Sequence, residues 1–318
     1  MNKPICEIKN LYIDYPISIG TVRAVEDASL NLYSGKALGL VGESGCGKST
    51  LGLALLKLAR PPGKIRKGEI LFHGKDILSI KDREVLKIRG RDIAMIFQNP
   101  LTSLNPLFKI EDQFYETMKH HEPGIKRDLA RSRAEELIET LGIEKERLSE
   151  YAHQFSGGMR QRIMIGLALI MNPDILIADE PTTSLDVIVE AGFIDLLSSL
   201  RNKYNLSVLV ISHNLGLVAA IADRVAVMYG GKIIETGPAD KIYNNPLHPY
   251  TYGLINCVPN IKLDQKELFT MPGRPPDLVN PPPGCRFSPR CPKVMERCKV
   301  EHPYLIEKQE QKVACWLY

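Results

Sequence analysis

Short apolar runs recur along the chain, and each of them ends at a polar or glycine-rich segment. Four runs, at positions 37–41, 93–97, 175–178 and 207–212, are rich in Val, Ile, Leu and Ala. Near-continuous apolar strands that alternate with helical segments are typical of a parallel sheet covered on both faces. The pattern therefore predicts an α/β fold.

Alternating apolar and polar positions indicate a second kind of strand near the start of the chain. Residues 5–15 and 28–33 alternate in this way, which predicts two half-exposed antiparallel strands with a loop at 16–22 between them. Later in the chain, two apolar runs flank the glycine pair at 230–231 and predict a hairpin.

A helical pattern occupies part of the region 99–170, between two of the predicted buried strands. We interpret its apolar side chains as the core-facing side of a helix, and the region as a helical subdomain inserted into the α/β core. The side chains at helical spacing are Ala130, Ala134, Leu137, Ile138 and Leu141.

A glycine-rich loop joins the first buried strand to an apolar segment that predicts a helix at 51–56. A strand, a glycine-rich loop and Gly-Lys-Ser at the start of a helix are the context of a phosphate-binding loop, because glycines let backbone N–H groups surround a phosphate chain. Lys48 is expected to reach the β- and γ-phosphates of a nucleotide, and Ser49 to bind Mg²⁺. The loop consists of Gly42, Glu43, Ser44, Gly45, Cys46, Gly47, Lys48, Ser49 and Thr50.

Residues suited to phosphate chemistry follow the other three buried strands. Because the carboxyl ends of parallel strands meet at one edge of a sheet, these residues are expected near the phosphate-binding loop. Hydrolysis of a phosphoanhydride needs charge neutralisation, an oriented water and a base. Asp179 suits a Mg²⁺ partner, and Glu180 suits the residue that polarises the attacking water. Gln98 suits a contact to metal or water, and His213 a contact to the γ-phosphate.

A second glycine-containing segment opens a later helix, with Ser156 as a suitable N-cap. Helix N-termini bind phosphate, so this segment is a second phosphate-binding element, without a lysine. A single nucleotide site cannot easily use both elements, because the phosphates of one nucleotide bind to one of them. The simplest arrangement that uses both is a head-to-tail pair of subunits, in which each subunit completes the nucleotide site of the other.

In this order, the motifs resemble those of the ATP-binding cassette (ABC) transporter family. Residues 42–50 are similar to its Walker A motif, 175–180 to its Walker B motif, Gln98 to its Q-loop and His213 to its switch histidine. The resemblance assigns further roles to a signature that acts on the partner's ATP, to a D-loop and to an aromatic residue that stacks on adenine. These residues are Ser156, Gly157, Gly158 and Met159 (signature), Ser184, Leu185 and Asp186 (D-loop), and Tyr15 (adenine).

The resemblance covers about residues 5–255 and implies ATP and Mg²⁺ as cofactors. Mg²⁺ would be held by Ser49, Gln98 and Asp179, and catalysis carried by Glu180, His213 and Gln98. The implied fold is an α/β P-loop NTPase core of the ABC ATPase type, with an antiparallel β subdomain, an inserted helical subdomain at about 99–170 and a small Cys-rich C-terminal extension. We expect the ATPase domain at 1–255 and the extension at 256–318, with a proline-rich connector at 272–283.

Four of the seven cysteines lie near the end of the chain, at Cys285, Cys291, Cys298 and Cys315. Their spacing differs from the Cys-x2-Cys pairs of zinc ribbons, but four thiolates suit zinc or an iron–sulfur cluster. The surrounding segment resembles the C-terminal domain of dipeptide and oligopeptide importer ATPases, which implies that these cysteines are ligands of a [4Fe–4S] cluster. Zinc and unliganded thiols remain alternatives. Cys6 and Cys257 are interpreted as small core residues.

Charge and hydropathy limit the classes of partner. The formal net charge of +4 is too small to indicate a nucleic-acid partner. The chain starts without the apolar segment of a signal peptide, and no apolar run approaches the ~20 residues that span a bilayer. We therefore expect any membrane pore to be formed by separate chains.

The resemblance implies a peripheral ATPase at the cytoplasmic face of the cell membrane that powers the import of dipeptides or oligopeptides. Its partners would be a second ABC ATPase subunit, two transmembrane permease subunits and, indirectly, an extracytoplasmic peptide-binding protein. Met159 stands where most families carry glutamine, which favours a paralogue as the second ATPase. Nickel or another small cargo remains an alternative, as does a redox-regulated ATPase outside transport. An ABC-type ATPase acting on DNA would carry long coiled coils between Lys48 and Ser156, and no sustained heptads occur there.

Overall fold

The computed structural model describes residues 3–97, 104–182, 187–257 and 270–318. The chain divides into two compact units, one formed by residues up to 79 together with residues from 210 onward, and one formed by residues 80–209. None of the helices in the described ranges is long and apolar enough to cross a membrane.

The first unit contains most of the strands and several short helices. Its strands are β1 (Cys6–Ile17), β2 (Gly20–Leu32), β3 (Ala37–Val41), β4 (Lys64–Phe72), β5 (Lys75–Asp76), β9 (Arg224–Tyr229), β10 (Lys232–Pro238), β11 (Ile306–Lys308) and β12 (Gln311–Val313). Its helices are α1 (Lys48–Ala54), α7 (Leu215–Ile221), α8 (Ala239–Asn244), α9 (Pro249–Asn256) and α10 (Glu296–Val300).

Within the described ranges, the second unit contains four long helices and one short one. Its helices are α2 (Asp82–Ile88), α3 (Ile110–His121), α4 (Arg127–Thr140), α5 (Gly157–Leu169) and α6 (Val187–Tyr204), and its strands are β6 (Ile93–Ile96) and β7 (Ile175–Asp179). Strand β8 (Ser207–Ser212) contains the boundary between the two units.

An antiparallel sheet, in the order β2-β1-β4-β5, begins the first unit. Cys6 of β1 pairs with Leu32 on one side and with Phe72 on the other. The predicted loop at 16–22 is wrong, because β1 continues to Ile17 and β2 starts at Gly20. Pro16 is compatible with the strand because the pairing of β1 with β4 ends at Asp14, so the proline lies where β1 has a partner on one side.

Strand β3, the first predicted buried strand, is buried at all five positions and pairs in parallel with β9. Strand β9 pairs with β10 across the glycines at 230–231, which confirms the predicted hairpin. Strand β10 also pairs with β12, where Glu235 lies opposite Val313. The last residues of the chain therefore extend the sheet that contains the strand preceding the phosphate-binding loop.

Parallel pairing and close helix packing characterise the second unit. Strands β6 and β7 pair in parallel, with Ile93 opposite Ile175. The predicted apolar face of a helix is confirmed, because Ala130, Ala134, Leu137 and Ile138 are the buried residues of α4. Gly166 of α5 lies against Phe114 and Leu141, so closely that an added Cβ would lie about 3 Å from both side chains. The limits of the helical subdomain stay a prediction.

The proline-rich segment and two of the cysteines can be compared with the sequence expectations. Residues 272–283 contain no helix or strand, and the N–H of Arg23 donates to the carbonyl oxygen of Leu278 (3.0 Å). Cys6 is buried as expected, but the expectation that Cys257 is a core residue is wrong. Cys257 forms the C-cap of α9 and is half-buried, because the helix end is partly exposed.

Candidate functional site

The phosphate-binding loop lies between the end of β3 and the start of α1. Gly45 and Gly47 have left-handed backbone conformations, with φ of 77° and 106°, and Gly47 is the N-cap of α1. The side chain of Lys48 is buried and returns across the loop. Its Nζ donates to the carbonyl oxygens of Gly42 (2.8 Å) and Glu43 (3.0 Å). The Lys48 side chain therefore bridges the two ends of the loop, whose tight turn depends on the left-handed backbone of the glycines.

The loop is also held from outside by residues that are distant in sequence. The N–H of Glu43 donates to the hydroxyl of Tyr250 (2.9 Å), and the N–H of Gly231 donates to the carbonyl oxygen of Cys46 (2.9 Å). The Glu43 carboxylate receives two hydrogen bonds from Arg290, at 2.8 and 3.0 Å. The sequence analysis missed these partners, because they lie far from the loop in sequence and only the folded chain brings them close to it.

Burial keeps two groups uncharged, one in this loop and one bonded to it. It raises the pKa of the Cys46 thiol, an effect that the nearby Lys48 ammonium opposes. It also raises the pKa of the Tyr250 hydroxyl. Both groups therefore stay protonated at neutral pH, and the charged side chains of the loop are Glu43 and Lys48.

Tyr15 and His213 belong to the same compact unit as the loop. Tyr15 lies on β1 opposite Val22 and is half-buried, with its ring against Gly63. His213 follows β8 and is exposed. The next residue, Asn214, caps α7 through its side-chain oxygen and bonds through its N–H to Ser212 Oγ (2.9 Å). The backbone at His213 is therefore fixed on its C-terminal side.

The two acidic residues predicted at a strand end lie in the second unit. Asp179 is the last residue of β7 and is buried, and Glu180 follows it with a left-handed φ of 45°. Such a conformation is uncommon for a residue with a side chain and is found mainly where the surroundings impose it. The backbone therefore leaves the strand conformation at Glu180, directly after β7 ends.

The predicted second phosphate-binding element is an exposed helix start in the same unit. Ser156 is the N-cap of α5 and accepts a hydrogen bond from the N–H of Met159 (3.4 Å), which confirms the predicted cap. Further along α5, the buried Gln161 side chain donates to the carbonyl oxygen of Pro181 (2.6 Å). This bond connects α5 to the residue after Glu180.

Four sequence-predicted residues lie outside the described ranges. They are Gln98 and the D-loop residues Ser184, Leu185 and Asp186. Their roles stay predictions.

Comparison with known proteins identifies the family. The family model described as ABC transporter matches residues 25–183, and the one described as oligopeptide/dipeptide transporter, C-terminal region, matches residues 234–298. The chain is 46% identical over 317 residues to the dipeptide transport ATP-binding protein DppD of Bacillus subtilis (strain 168), covering 98% of this chain and 94% of that protein. It is 42% identical over 316 residues to the oligopeptide transport ATP-binding protein OppD of Haemophilus influenzae, covering 99% and 97%. The chain belongs to the ABC transporter family.

Solved structures agree with this assignment. The dimeric structure of MJ0796, a bacterial ABC transporter cassette, matches with a TM-score of 0.65 and 26% identity, over 74% of this chain and 98% of that chain. A post-hydrolysis state of the same cassette bound to ADP and Pi matches equally well. These matches confirm the predicted α/β P-loop core. As a family member the protein is an ABC-type ATPase, and its family implies permease partners in a membrane.

The four C-terminal cysteines of this ABC ATPase line one cavity. Its other walls are largely apolar and include Phe287, Met295 and Trp316. All four cysteines are free thiols, and burial raises the pKa of Cys285 to about 11. Within the described part of the chain, no group of three or more His, Cys, Asp or Glu residues is arranged to hold a metal ion. The sequence reasoning therefore correctly grouped these cysteines, while their ligand stays a prediction.

Proposed function

We propose that this protein is the ATP-hydrolysing subunit of an importer for dipeptides and oligopeptides, peripheral to the cytoplasmic face of the membrane. The observation that carries the proposal is the pairing of an ABC ATPase region with a C-terminal region described for oligopeptide/dipeptide transporters. Relatives named as dipeptide and oligopeptide transport proteins match almost the entire chain and support the same cargo class.

In the proposed mechanism, the loop 42–50 holds the phosphates of ATP and a second ATPase subunit completes the site. The exposed turn at Ser156 offers its helix N-terminus to the γ-phosphate held by the facing subunit. Lys48 contributes the positive charge that compensates the β- and γ-phosphates. Glu180 accepts a proton from the attacking water, and His213 contacts the γ-phosphate.

Oxygen donors of this chain suit a magnesium ion. Ser49 and Asp179 would hold it, together with Gln98, and the hydroxyl and carboxylate oxygens are ligands that Mg²⁺ prefers. The ion neutralises charge on the β- and γ-phosphates when it is bound. The position of Asp179 at the carboxyl end of β7 supports this role, because ligands of α/β sheets bind at the carboxyl ends of the strands.

The partners follow from the proposed transport role. The second ATPase is a paralogue, because Met159 departs from the glutamine that most families carry at that position. Two transmembrane permease subunits form the pore, and an extracytoplasmic peptide-binding protein delivers the cargo to them. Nickel or another small cargo is the alternative to peptides.

The cargo is tested by uptake into cells that lack this protein. We expect reintroduction of the wild-type chain to restore uptake of a radiolabelled dipeptide or tetrapeptide, and the Glu180→Gln variant to restore none. Uptake of ⁶³Ni²⁺ is the matched control and should not change. Restored nickel uptake without restored peptide uptake would overturn the peptide assignment while leaving the ATPase assignment intact.

We further propose that the four-cysteine cavity holds a [4Fe–4S] cluster. The support is its donor set, since such clusters are held by four Cys thiolates, and here four cysteines face one cavity with apolar walls. Ligand thiols must lose their protons, and the raised pKa of free Cys285 means that binding would release protons. The cluster would crosslink a C-terminal segment that has little core of its own. Zinc and free thiols are the alternatives.

Iron analysis after anaerobic purification tests this site. We expect brown protein with about four irons and four acid-labile sulfides per chain, as the cluster formula requires. Cys291→Ser should lose most of the iron, whereas Cys257→Ser, which changes a half-buried cysteine outside the cavity, should keep it. Stoichiometric zinc, or protein without metal, would overturn the cluster. ATP turnover that follows the cluster's redox state would favour the redox-regulated alternative.

A further inference from the structure

Two buried arginines lie between the first two cysteines of the C-terminal cavity. Residues Ser288–Arg290 form a single 3₁₀ turn, and the backbone N–H groups of Ser288 and Cys291 bond to the carbonyl oxygens of Cys285 and Ser288 (2.9 and 3.4 Å). The turn is therefore joined at both ends to cysteines of the cavity. Arg290, at the end of this turn, and Arg286, two residues before it, extend to the nucleotide-binding side of the same unit.

Arg290 forms a two-pronged ion pair with Glu43 of the phosphate-binding loop. Its Nη1 and Nη2 donate to Oε2 (2.8 Å) and Oε1 (3.0 Å) of Glu43, and its Nε donates to the carbonyl oxygen of Pro272 (2.8 Å). The Arg290 side chain is 5% exposed and that of Glu43 is 23% exposed. Bidentate pairs of this kind are the strong, geometrically specific ones.

Arg286 connects the same turn to the loop by a second route. It donates to the carbonyl oxygen of Gly230, and the N–H of the next residue, Gly231, donates to the carbonyl oxygen of Cys46 (2.9 Å). Between the two routes, the rings of Tyr229, Tyr250 and Phe287 pack with centroid separations of 4.5 to 5.5 Å. The Tyr250 hydroxyl also accepts a hydrogen bond from the N–H of Glu43. The backbone of Glu43 is therefore held by one hydrogen bond that does not involve Arg290.

A carboxylate inside a phosphate-binding loop is an electrostatic problem. ATP carries several negative charges, and an uncompensated Glu43 in the loop that holds its phosphates would repel each of them. An arginine that is nearly excluded from solvent and bonded to both carboxylate oxygens removes this repulsion and fixes the direction of the side chain. Lys48 is assigned to the phosphates, and its Nζ is bonded to the backbone oxygens of Gly42 and Glu43. Both carboxylate oxygens of Glu43 accept their hydrogen bonds from Arg290 instead.

We propose that Arg290 is a positioning residue for nucleotide binding, which neutralises Glu43 and holds its carboxylate away from the path of the phosphates. The cysteine-bearing extension thereby contributes to ATP affinity. This inference rests on the assignment of residues 42–50 as the ATP-binding loop, but it requires neither a peptide cargo nor a ligand in the cysteine cavity.

A double-mutant cycle on the full chain tests the proposal. Binding of Mg²⁺-ATP, Mg²⁺-ADP and adenosine is measured by calorimetry for wild type, R290M, E43Q and R290M/E43Q, and thermal unfolding confirms that each variant is folded. We expect R290M to weaken ATP binding roughly 10- to 100-fold, since one unscreened charge acts on several phosphate charges. R290M/E43Q should return to within about threefold of wild type, because the glutamine that replaces Glu43 has no charge to repel phosphate.

Three comparisons separate this role from general support of the fold. The loss in R290M should decrease from ATP to ADP and vanish for adenosine, because repulsion grows with phosphate charge. R290K, which keeps the charge but not the bidentate geometry, should lie between R290M and wild type. K299M removes an equal charge from an exposed ion pair with Glu296 in the same extension and should bind ATP as wild type does.

The outcomes are distinct. Equal affinity of R290M and wild type for ATP, failure of E43Q to rescue R290M, or equal weakening for ATP and adenosine would each overturn the proposal. If wild type itself binds no ATP, the assignment of the ATP-binding loop fails instead. If R290M is unfolded, R290K and the double variant still decide, because neither leaves an unpaired, half-buried carboxylate in the site.

Discussion

The Glu180→Gln variant should bind ATP with wild-type affinity and hydrolyse it about 10³-fold more slowly, within the range typical for loss of a general base. Glutamine has nearly the shape of glutamate but cannot accept a proton from water at neutral pH. Glu180 directly follows the buried strand β7 and has a left-handed φ of 45°. Glu and Gln have side chains of nearly the same shape and meet this backbone conformation equally, so the substitution should leave the local fold intact. Phosphate release at saturating ATP and nucleotide affinity, measured on the same preparation, give the two quantities.

The matched control is Glu135→Gln. It makes the same chemical change in the same unit, at a residue of α4 whose carboxylate pairs with Arg131 at the protein surface (2.9 Å). Exposed pairs of this type contribute little, so this variant should retain wild-type turnover. Turnover of Glu180→Gln above about a tenth of wild type would assign the base to another residue, because loss of a base costs more than that.

Local sequence patterns were sufficient for the parts of the site that are local in structure. The phosphate-binding loop follows an apolar run and precedes a helix, and the structure has both elements, although α1 starts earlier than expected, at Lys48. The cap at Ser156 needed only a residue type and its position before α5. In both cases the relevant hydrogen bonds join residues less than ten positions apart, so the sequence contains the whole motif.

The contacts around the loop could not be predicted in this way. Arg290 and Glu43 are 247 positions apart, and Tyr250 and Glu43 are 207 positions apart. No periodicity relates them, since their proximity depends on the pairing of β3 with β9 and on the return of the chain after α9. The hairpin at 17–20 was missed for a different reason. Pro16 and Gly20 are turn residues by preference, and only the pairing of β1 on one side of this segment makes them compatible with strands.

The cysteine extension shows how a distant segment becomes part of the ATP site. Sequence alone treated it as a separate appendage with its own chemistry. In the structure β12 pairs with β10, and the turn at 288–290 directs Arg290 to the phosphate-binding loop. Two structural roles thus meet in one turn, because its backbone is hydrogen-bonded to Cys285 and Cys291 of the cavity and its Arg290 side chain contacts the loop. Changes at the cavity are therefore expected to alter nucleotide affinity through Arg290.

Gly47→Ala should abolish measurable ATP binding, although it adds only one methyl group. Gly47 has a φ of 106°, and a Cβ at this position would lie 2.1 Å from the carbonyl oxygen of Ala24 and 2.8 Å from Cε of Met228. The carbonyl belongs to the backbone of β2, and Ala24 lies between Arg23 and Val25, which pair with Asp14 and Ile13 of β1 and limit its movement. The loop must therefore shift, and with it the N–H groups that bind phosphate and the start of α1.

Gly45→Ala is the control that separates conformational strain from the clash. Gly45 also has a left-handed backbone, with φ of 77°, but a Cβ there would meet no atom within 4 Å. Its cost should be limited to roughly 1–2 kcal/mol of backbone strain, so ATP binding should weaken only about tenfold. Calorimetric ATP affinity and the thermal unfolding midpoint of both variants provide the comparison. If the two alanines weaken binding equally, the crowding around Gly47 does not shape the phosphate-binding loop, and left-handed backbone geometry alone accounts for the glycines.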